Sequence, residues 1–97
     1  MIIYEIDIEI DNDIYKKYIQ WLKKHIKLML TFDGFLNANI YYYKKDYLKK
    51  NILVHYYVFN INQLNDYINN KSYKIRSDGI EKFNSSIKIK RRILTEL

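Results

Sequence analysis

The stretch "WLKKHIKLML" (residues 21–30) sets an indole and an imidazole four residues apart, Trp21 and His25, among lysines. On a helix, i and i+4 share a face, so both rings point the same way. Facing them, strand-like alternation supplies Tyr4, Tyr42 and Tyr56, and "IKIKRRIL" supplies Arg91 in parity with Ile87, Ile89 and Ile93. A guanidinium turned toward an apolar interior needs an acceptor. Beside a Trp and a His it can hold a carboxylate or phosphate. Tyr4, Trp21, His25, Tyr56 and Arg91 are therefore the candidate residues for binding a small anionic or aromatic ligand. If the register slips by one, Arg92 replaces Arg91, because adjacent arginines put one on each face. The competing reading is a packed core, with Trp21 as core volume, its N–H bonded locally, and Arg91 snorkelling at the sheet edge.

The other residue types exclude several chemistries. There is no cysteine, so neither a disulfide framework nor a thiolate metal cluster forms. His25 and His55 fall on opposite sheet faces and cannot share a metal. Gly34 and Gly79 stand alone, which leaves no Gly-rich phosphate loop. Ser72, Ser77, Ser85 and Ser86 lie in polar stretches with no His placed to activate them. No cofactor and no catalytic residue is assigned.

The elements that must position these residues follow from periodicity. Residues 2–10 alternate Ile2, Tyr4, Ile6, Ile8 and Ile10 against Glu5, Asp7 and Glu9, a strand with one dry face. "DND" at 11–13 offers helix N-caps. From Ile14 to about Leu30 the period becomes helical. Ile14, Tyr15, Tyr18, Ile19, Trp21, Leu22, Ile26, Leu28, Met29 and Leu30 fill one arc, with His25 inside it. Six polar residues, Lys16 to Lys27, fill the other. "FLNANIYYY" (35–43) is a second strand with Leu36, Ala38, Ile40 and Tyr42 toward the helices, and "KKDYLKKN" a polar hairpin connection. "ILVHYYVFNI" (52–61) is a third strand. A second helix starts near Asn62 and runs toward Gly79, read as its stop. Residues 87–94 are the last strand. The order β-α-β-β-α-β in 97 residues is a single α+β domain, the ferredoxin-like sandwich. It has a four-stranded antiparallel sheet in the order 4-1-3-2, with two helices on one face.

The opposite face of that sheet is then readable. Glu5, Asp7 and Glu9 stand beside Lys88, Lys90 and Arg92, so acids and bases pair across neighbouring strands. The other half carries Leu53, His55, Tyr57, Phe59, Asn37, Asn39, Tyr41 and Tyr43. An aromatic patch on a small domain points to a partner. Tyr41, His55, Tyr57 and Phe59 are the candidate interface. RNA-recognition motifs share this topology, but their third-strand signature fails here at Leu53, Val54 and Asn60. Strand one would also present three acids to phosphates, so nucleic acid is not the expected partner.

Charge and composition agree. The net charge of +6 favours anionic surfaces. However, Ile, Lys, Asn and Tyr make up 52 of the 97 residues, all with A/T-rich codons, so composition drift accounts for part of the basicity. The basic helix face is expected to be a solvated surface. "MIIYEIDIEI" lacks the basic and apolar regions of a signal peptide, and no apolar run reaches a membrane span. A cytoplasmic location is expected.

"IIYEIDIEID", "YIQWLKKHI", "GFLNA" and the terminal "RRIL" together resemble a small uncharacterised bacterial family in the dimeric α+β barrel superfamily. The likeness spans nearly the whole chain. It implies a homodimer in which two open sheet faces pack into a barrel, with a pocket inside each subunit between sheet and helices. A small cytoplasmic ligand-binding or regulatory protein is the function it implies. The alternatives are a cofactor-free monooxygenase-like enzyme using the same pocket, and a nucleic-acid or acidic-partner adaptor using the Lys16–Lys27 helix face. A haem on His25 follows only by analogy with the superfamily.

Overall fold

The computed structural model describes residues 1–45 and 47–97. Asp46, in the expected hairpin connection, lies outside them. The elements are β1 (Ile2–Asp11), a short 3₁₀ turn, α1 (Tyr15–Met29), β2 (Phe35–Tyr43), β3 (Lys49–Val58), α2 (Ile61–Asn70), α3 (Ser72–Phe83), a second 3₁₀ turn and β4 (Ile87–Thr95). The sheet is antiparallel throughout, in the order β2-β3-β1-β4, the 4-1-3-2 arrangement read from the opposite edge. The fold is the α+β ferredoxin-like sandwich.

The central strand β1 is paired on both sides, with Tyr4 opposite Tyr56 on β3 and Ile93 on β4. Its even-numbered residues are buried from Ile2 to Ile10. They meet Tyr18, Leu22, Ile26 and Met29 of α1, Ile52, Val54, Tyr56 and Val58 of β3, and Leu64 and Tyr67 of α2. The spacing of the α1 set matches the helical period, while Leu28, placed in the same arc by angle, is exposed.

Several boundaries differ from the sequence reading, each for a physical reason. No Asp11, Asn12 or Asp13 side chain caps α1, because a 3₁₀ turn intervenes. β3 ends at Val58 because Asn60 leaves the strand and caps α2, its side chain accepting from the Gln63 backbone N–H at 2.9 Å. Phe59 therefore stands beyond the strand, 64% exposed, its N–H bonded to the Gly34 carbonyl at 2.8 Å. A bulge between Phe35 and Asn37 turns Phe35 into the core and leaves Leu36 exposed, because the inserted residue resets the parity. The single expected second helix is two, broken at Lys71. There the Ser72 hydroxyl donates to the Ile68 carbonyl at 2.6 Å, a local bond that competes with the ladder. Gly79 does not stop a helix, since α3 continues to Phe83.

Gly34 adopts φ +85°, and a Cβ there would meet the Gln63 side chain at 2.3 Å. This turn feeds the bulge of β2. Gly34→Ala is expected to destabilise the protein by about 1–2 kcal/mol, the cost of a side chain in the left-handed region, read as a lower urea midpoint at unchanged m-value.

Candidate functional site

The sheet and helices leave an internal cavity of about 50 Å³ between β1, β3 and β4 below and α1 and α3 above. Tyr4, Trp21, His25, Tyr56 and Arg91 all line it. Tyr42, expected on the same wall, does not: it is exposed and packs on Tyr15 at 6.5 Å near the sheet edge. The cavity continues outward into a wider cleft of about 290 Å³, which shares Tyr4, Arg76 and Arg91 with the inner space.

Trp21 and His25 form one wall. Their rings stack at 4.6 Å and 15°, as the i, i+4 spacing allows. The Trp21 indole N–H donates to Asp78 Oδ2 of α3 at 2.8 Å, and Phe83 meets the indole edge-on at 5.6 Å. Gly79 completes this contact. A Cβ there would lie 2.9 Å from the indole Cη2, so glycine is what lets α3 approach Trp21 this closely.

The opposite wall is tyrosine. Tyr4 lies 6.3 Å from both Tyr56 and Tyr67, and its hydroxyl accepts from Arg76 Nη2 at 2.8 Å. Burial pushes the Tyr67 phenol up to about 12, with Tyr4 adding to the rise and Arg76 and Arg91 opposing it. Burial raises Tyr56 and Tyr18 further, and Tyr67, Tyr18 and Tyr4 together add to the shift of Tyr56. No hydrogen bond contributes to these three shifts. The phenols stay neutral at physiological pH, each able to donate as well as accept at the cavity wall.

Arg91 faces the helices, as its parity requires, yet it remains exposed at the mouth rather than buried. Partial burial lowers its pKa from the ordinary value, and Arg76 acts in the same direction. Tyr18, Tyr67, Arg76 and Gly79 are site residues beyond the five singled out from sequence. Tyr18 and Tyr67 carry helical core spacing with Trp21 and Leu64, which was a usable sign. Nothing in the sequence marks Arg76.

The open sheet face is a polar network. Glu5 is only 4% exposed. Arg92 Nε donates to it at 2.6 Å, and His55 Nε2 lies 2.9 Å from its other oxygen. Burial alone would raise the Glu5 carboxyl, but the hydrogen bonds from Arg92 and His55 outweigh it and hold the pKa below its ordinary 4.5. The Tyr43 hydroxyl donates to Asp7 at 2.6 Å, and Asn39 donates to the Tyr57 hydroxyl at 3.1 Å. Tyr41 lies edge-on to His55 at 5.5 Å. Of the four candidate interface residues, Tyr41, His55 and Tyr57 lie on β2 and β3, and Phe59 projects past the end of β3. No helix among the described residues is long and apolar enough to cross a membrane.

This architecture, a four-stranded antiparallel sheet with helices over one face and a cavity between them, defines the ferredoxin-like α+β class. The chain itself belongs to the family described as a domain of unknown function, DUF4286, whose model matches residues 1–97. No curated protein sequence matches it. Among solved structures it is similar to a putative antibiotic biosynthesis monooxygenase from Deinococcus radiodurans, with a TM-score of 0.68 and 15% identity, covering 100% of this chain and 95% of that one. It is also similar to an ethyl tert-butyl ether D (EthD) family protein from Bacillus halodurans, with a TM-score of 0.71 and 13% identity over the whole of both chains. A de novo designed protein, Foldit4, matches with a TM-score of 0.63 at 12% identity, covering 99% of this chain and 98% of that one. At these identities the likeness is one of fold.

Burial is the leading cause that lowers the His25 pKa below its ordinary 6.5; Asp78 opposes this and Arg91 adds to it. A His held neutral in the fold loses the competition for protons to the unfolded chain. Stability is therefore expected to fall as pH drops from 6.5 toward the depressed value. His25→Phe keeps the stack on Trp21 and removes that dependence. Thermal melts of both proteins between pH 8 and 5 check this, because the His55–Glu5 pair is common to both and cancels in the difference. Parallel pH profiles would show that His25 titrates as an exposed imidazole.

Proposed function

We propose that the protein is a homodimer that binds a small molecule in the cavity between the sheet and helices of each subunit. The observation that carries this reading is the chemistry of the cavity wall. Tyr18, Tyr56, Tyr67 and His25 are desolvated around it. Withdrawing polar groups from water costs free energy, and a ligand with matching polar atoms in this space offsets that cost. A space of about 50 Å³ exceeds the roughly 10–15 Å³ that one water needs. It is therefore room to be filled rather than a packing defect of methyl size. Trp21 in the wall makes binding observable. Emission from Trp21 is expected to respond to a bound ligand, and Gly79→Ala, which drives the indole into the cavity, is expected to weaken that response at least fivefold. Native mass spectrometry of the purified protein gives an independent reading as a co-purified mass. An unchanged response in Gly79→Ala, with no retained small molecule, would return Trp21 and His25 to the core.

The dimer reading rests on the open face. Its nearly buried carboxylate, Glu5, is already matched within the subunit by Arg92 and His55, so covering it does not leave that charge unpaired. Tyr41 is 45% exposed, and Tyr57, farther along the same face, is half-buried. A domain of this length buries only about 65% of its unfolded surface, and a second contact surface adds to its stability. Tyr57→Lys places like charges near the two-fold axis and is expected to raise the dimer dissociation constant by about a hundredfold, equivalent to about 2.7 kcal/mol. Sedimentation of wild type as a monomer at micromolar concentration would sink the dimer claim.

A further inference from the structure

We propose, building on the pocket reading above, that the ligand is a short apolar molecule with an oxyanion head. The head, a carboxylate or a phosphate monoester, sits at Arg76 and Arg91, and the tail passes Tyr4 into the inner cavity.

The two guanidiniums come from different elements, Arg76 from α3 and Arg91 from β4, and both line the outer cleft together with Tyr4. Among the described residues, no carboxylate pairs with either one. The next residue along β4, Arg92, also borders the cleft, but its charge is already taken up by Glu5 of the other face. Arg76 is also held in place. Its Nη2 donates to the Tyr4 hydroxyl at 2.8 Å, while its Nε is buried and meets no hydrogen-bond partner. Two like charges facing one cleft without an acid are unfavourable in the empty protein. A planar oxyanion relieves both the repulsion and the unmet donor, since guanidinium forks match carboxylate and phosphate oxygens.

Size sets the tail. At roughly 10–15 Å³ per water-sized site, an inner space of about 50 Å³ takes about three to five non-hydrogen atoms. Its floor and walls include Ile8, Leu22, Val54 and Ile75, which suit an alkyl chain. The best fit is thus an acid or monoester with a chain of about four to six carbons. Longer chains have no place to go without moving α3.

Isothermal titration of the whole protein with acetate, butanoate, hexanoate, decanoate, butyl phosphate and 1-butanol tests this. Butanoate, hexanoate or butyl phosphate is expected to bind at least tenfold tighter than acetate, decanoate or 1-butanol. Whichever of the two head chemistries is tighter names the head. Arg76→Met and Arg91→Met are each expected to weaken the favoured anion at least tenfold, and 1-butanol several-fold less than the anion. If either variant fails to fold, Arg76→Lys and Arg91→Lys keep the charge but lose the planar fork, and are expected to weaken the anion several-fold. Equal binding of butanoate and 1-butanol would overturn the head assignment and leave the pocket reading standing. Acetate binding as tightly as the longer anions would overturn the tail assignment and reduce the site to a surface anion contact. If neither the anions nor 1-butanol bind, the proposal and the pocket reading fall together.

Discussion

Everything in this fold is referred to β1, one of two inner strands, which is hydrogen-bonded along its length to β3 on one side and β4 on the other. Its strict alternation decides which way each neighbouring residue points, because a shift of one residue would exchange every side chain between the two faces. Five apolar residues from Ile2 to Ile10 can be buried only on the helix side. Once they are, Tyr4 must enter the cavity and Glu5 must lie on the open face. Those two adjacent residues anchor the two regions that carry functional interest. Tyr4 receives Arg76 from α3, and Glu5 receives Arg92 and His55 from the strands on either side.

The helix layer obeys a second constraint. α1 and α2 cover the sheet with Tyr18, Leu22, Ile26 and Met29, and with Leu64 and Tyr67, and these positions are closed to solvent. α3 covers the sheet less completely. Of its residues only Ser72 and Gly79 are buried, and its contacts with the rest run largely through rings and polar groups: Asp78 to the Trp21 indole, Gly79 beneath that ring, and Arg76 to Tyr4. A helix that roofs a cavity has little apolar surface to bury. Its attachment therefore depends on directional bonds, and it has the fewest alternatives for closing the space if a ligand is absent.

This difference explains what could be read from the sequence. β1, α1 and β4 bury or pair a regular set of side chains, so period and parity locate them, and with them Tyr4, Trp21, His25 and Arg91. Tyr56 follows for the same reason from β3. The end of β3 was not legible, because alternation runs on through Phe59 while the Asn60 side chain, a local capping interaction, ends the strand. Leu36 was misplaced because alternation carries no sign of a bulge. α3 was the least legible element. Ile75, Ile80 and Phe83 do not make a continuous apolar stripe when part of the helix faces a cavity, so Arg76 gave no sign of its role. Gly79 looked like a helix terminator, because close approach to an indole leaves no mark in the chain except the absence of a side chain.

The paired arginines of β4 show how the two faces differ in kind. Neighbouring residues on a strand point oppositely, so Arg91 and Arg92 begin from equivalent positions and meet unlike surroundings. Arg92 reaches over the open face and neutralises a nearly buried carboxylate, a pair complete within the subunit. Arg91 reaches the helix side, where the charge that acts on it most strongly is a second arginine, Arg76, followed by the Tyr4, Tyr67 and Tyr18 phenols. The nearly buried carboxylate of the open face is thus neutralised within the chain. On the cavity side, among the described residues, no carboxylate pairs with Arg76 or Arg91, so two like charges border the mouth of an apolar space without a counter-charge.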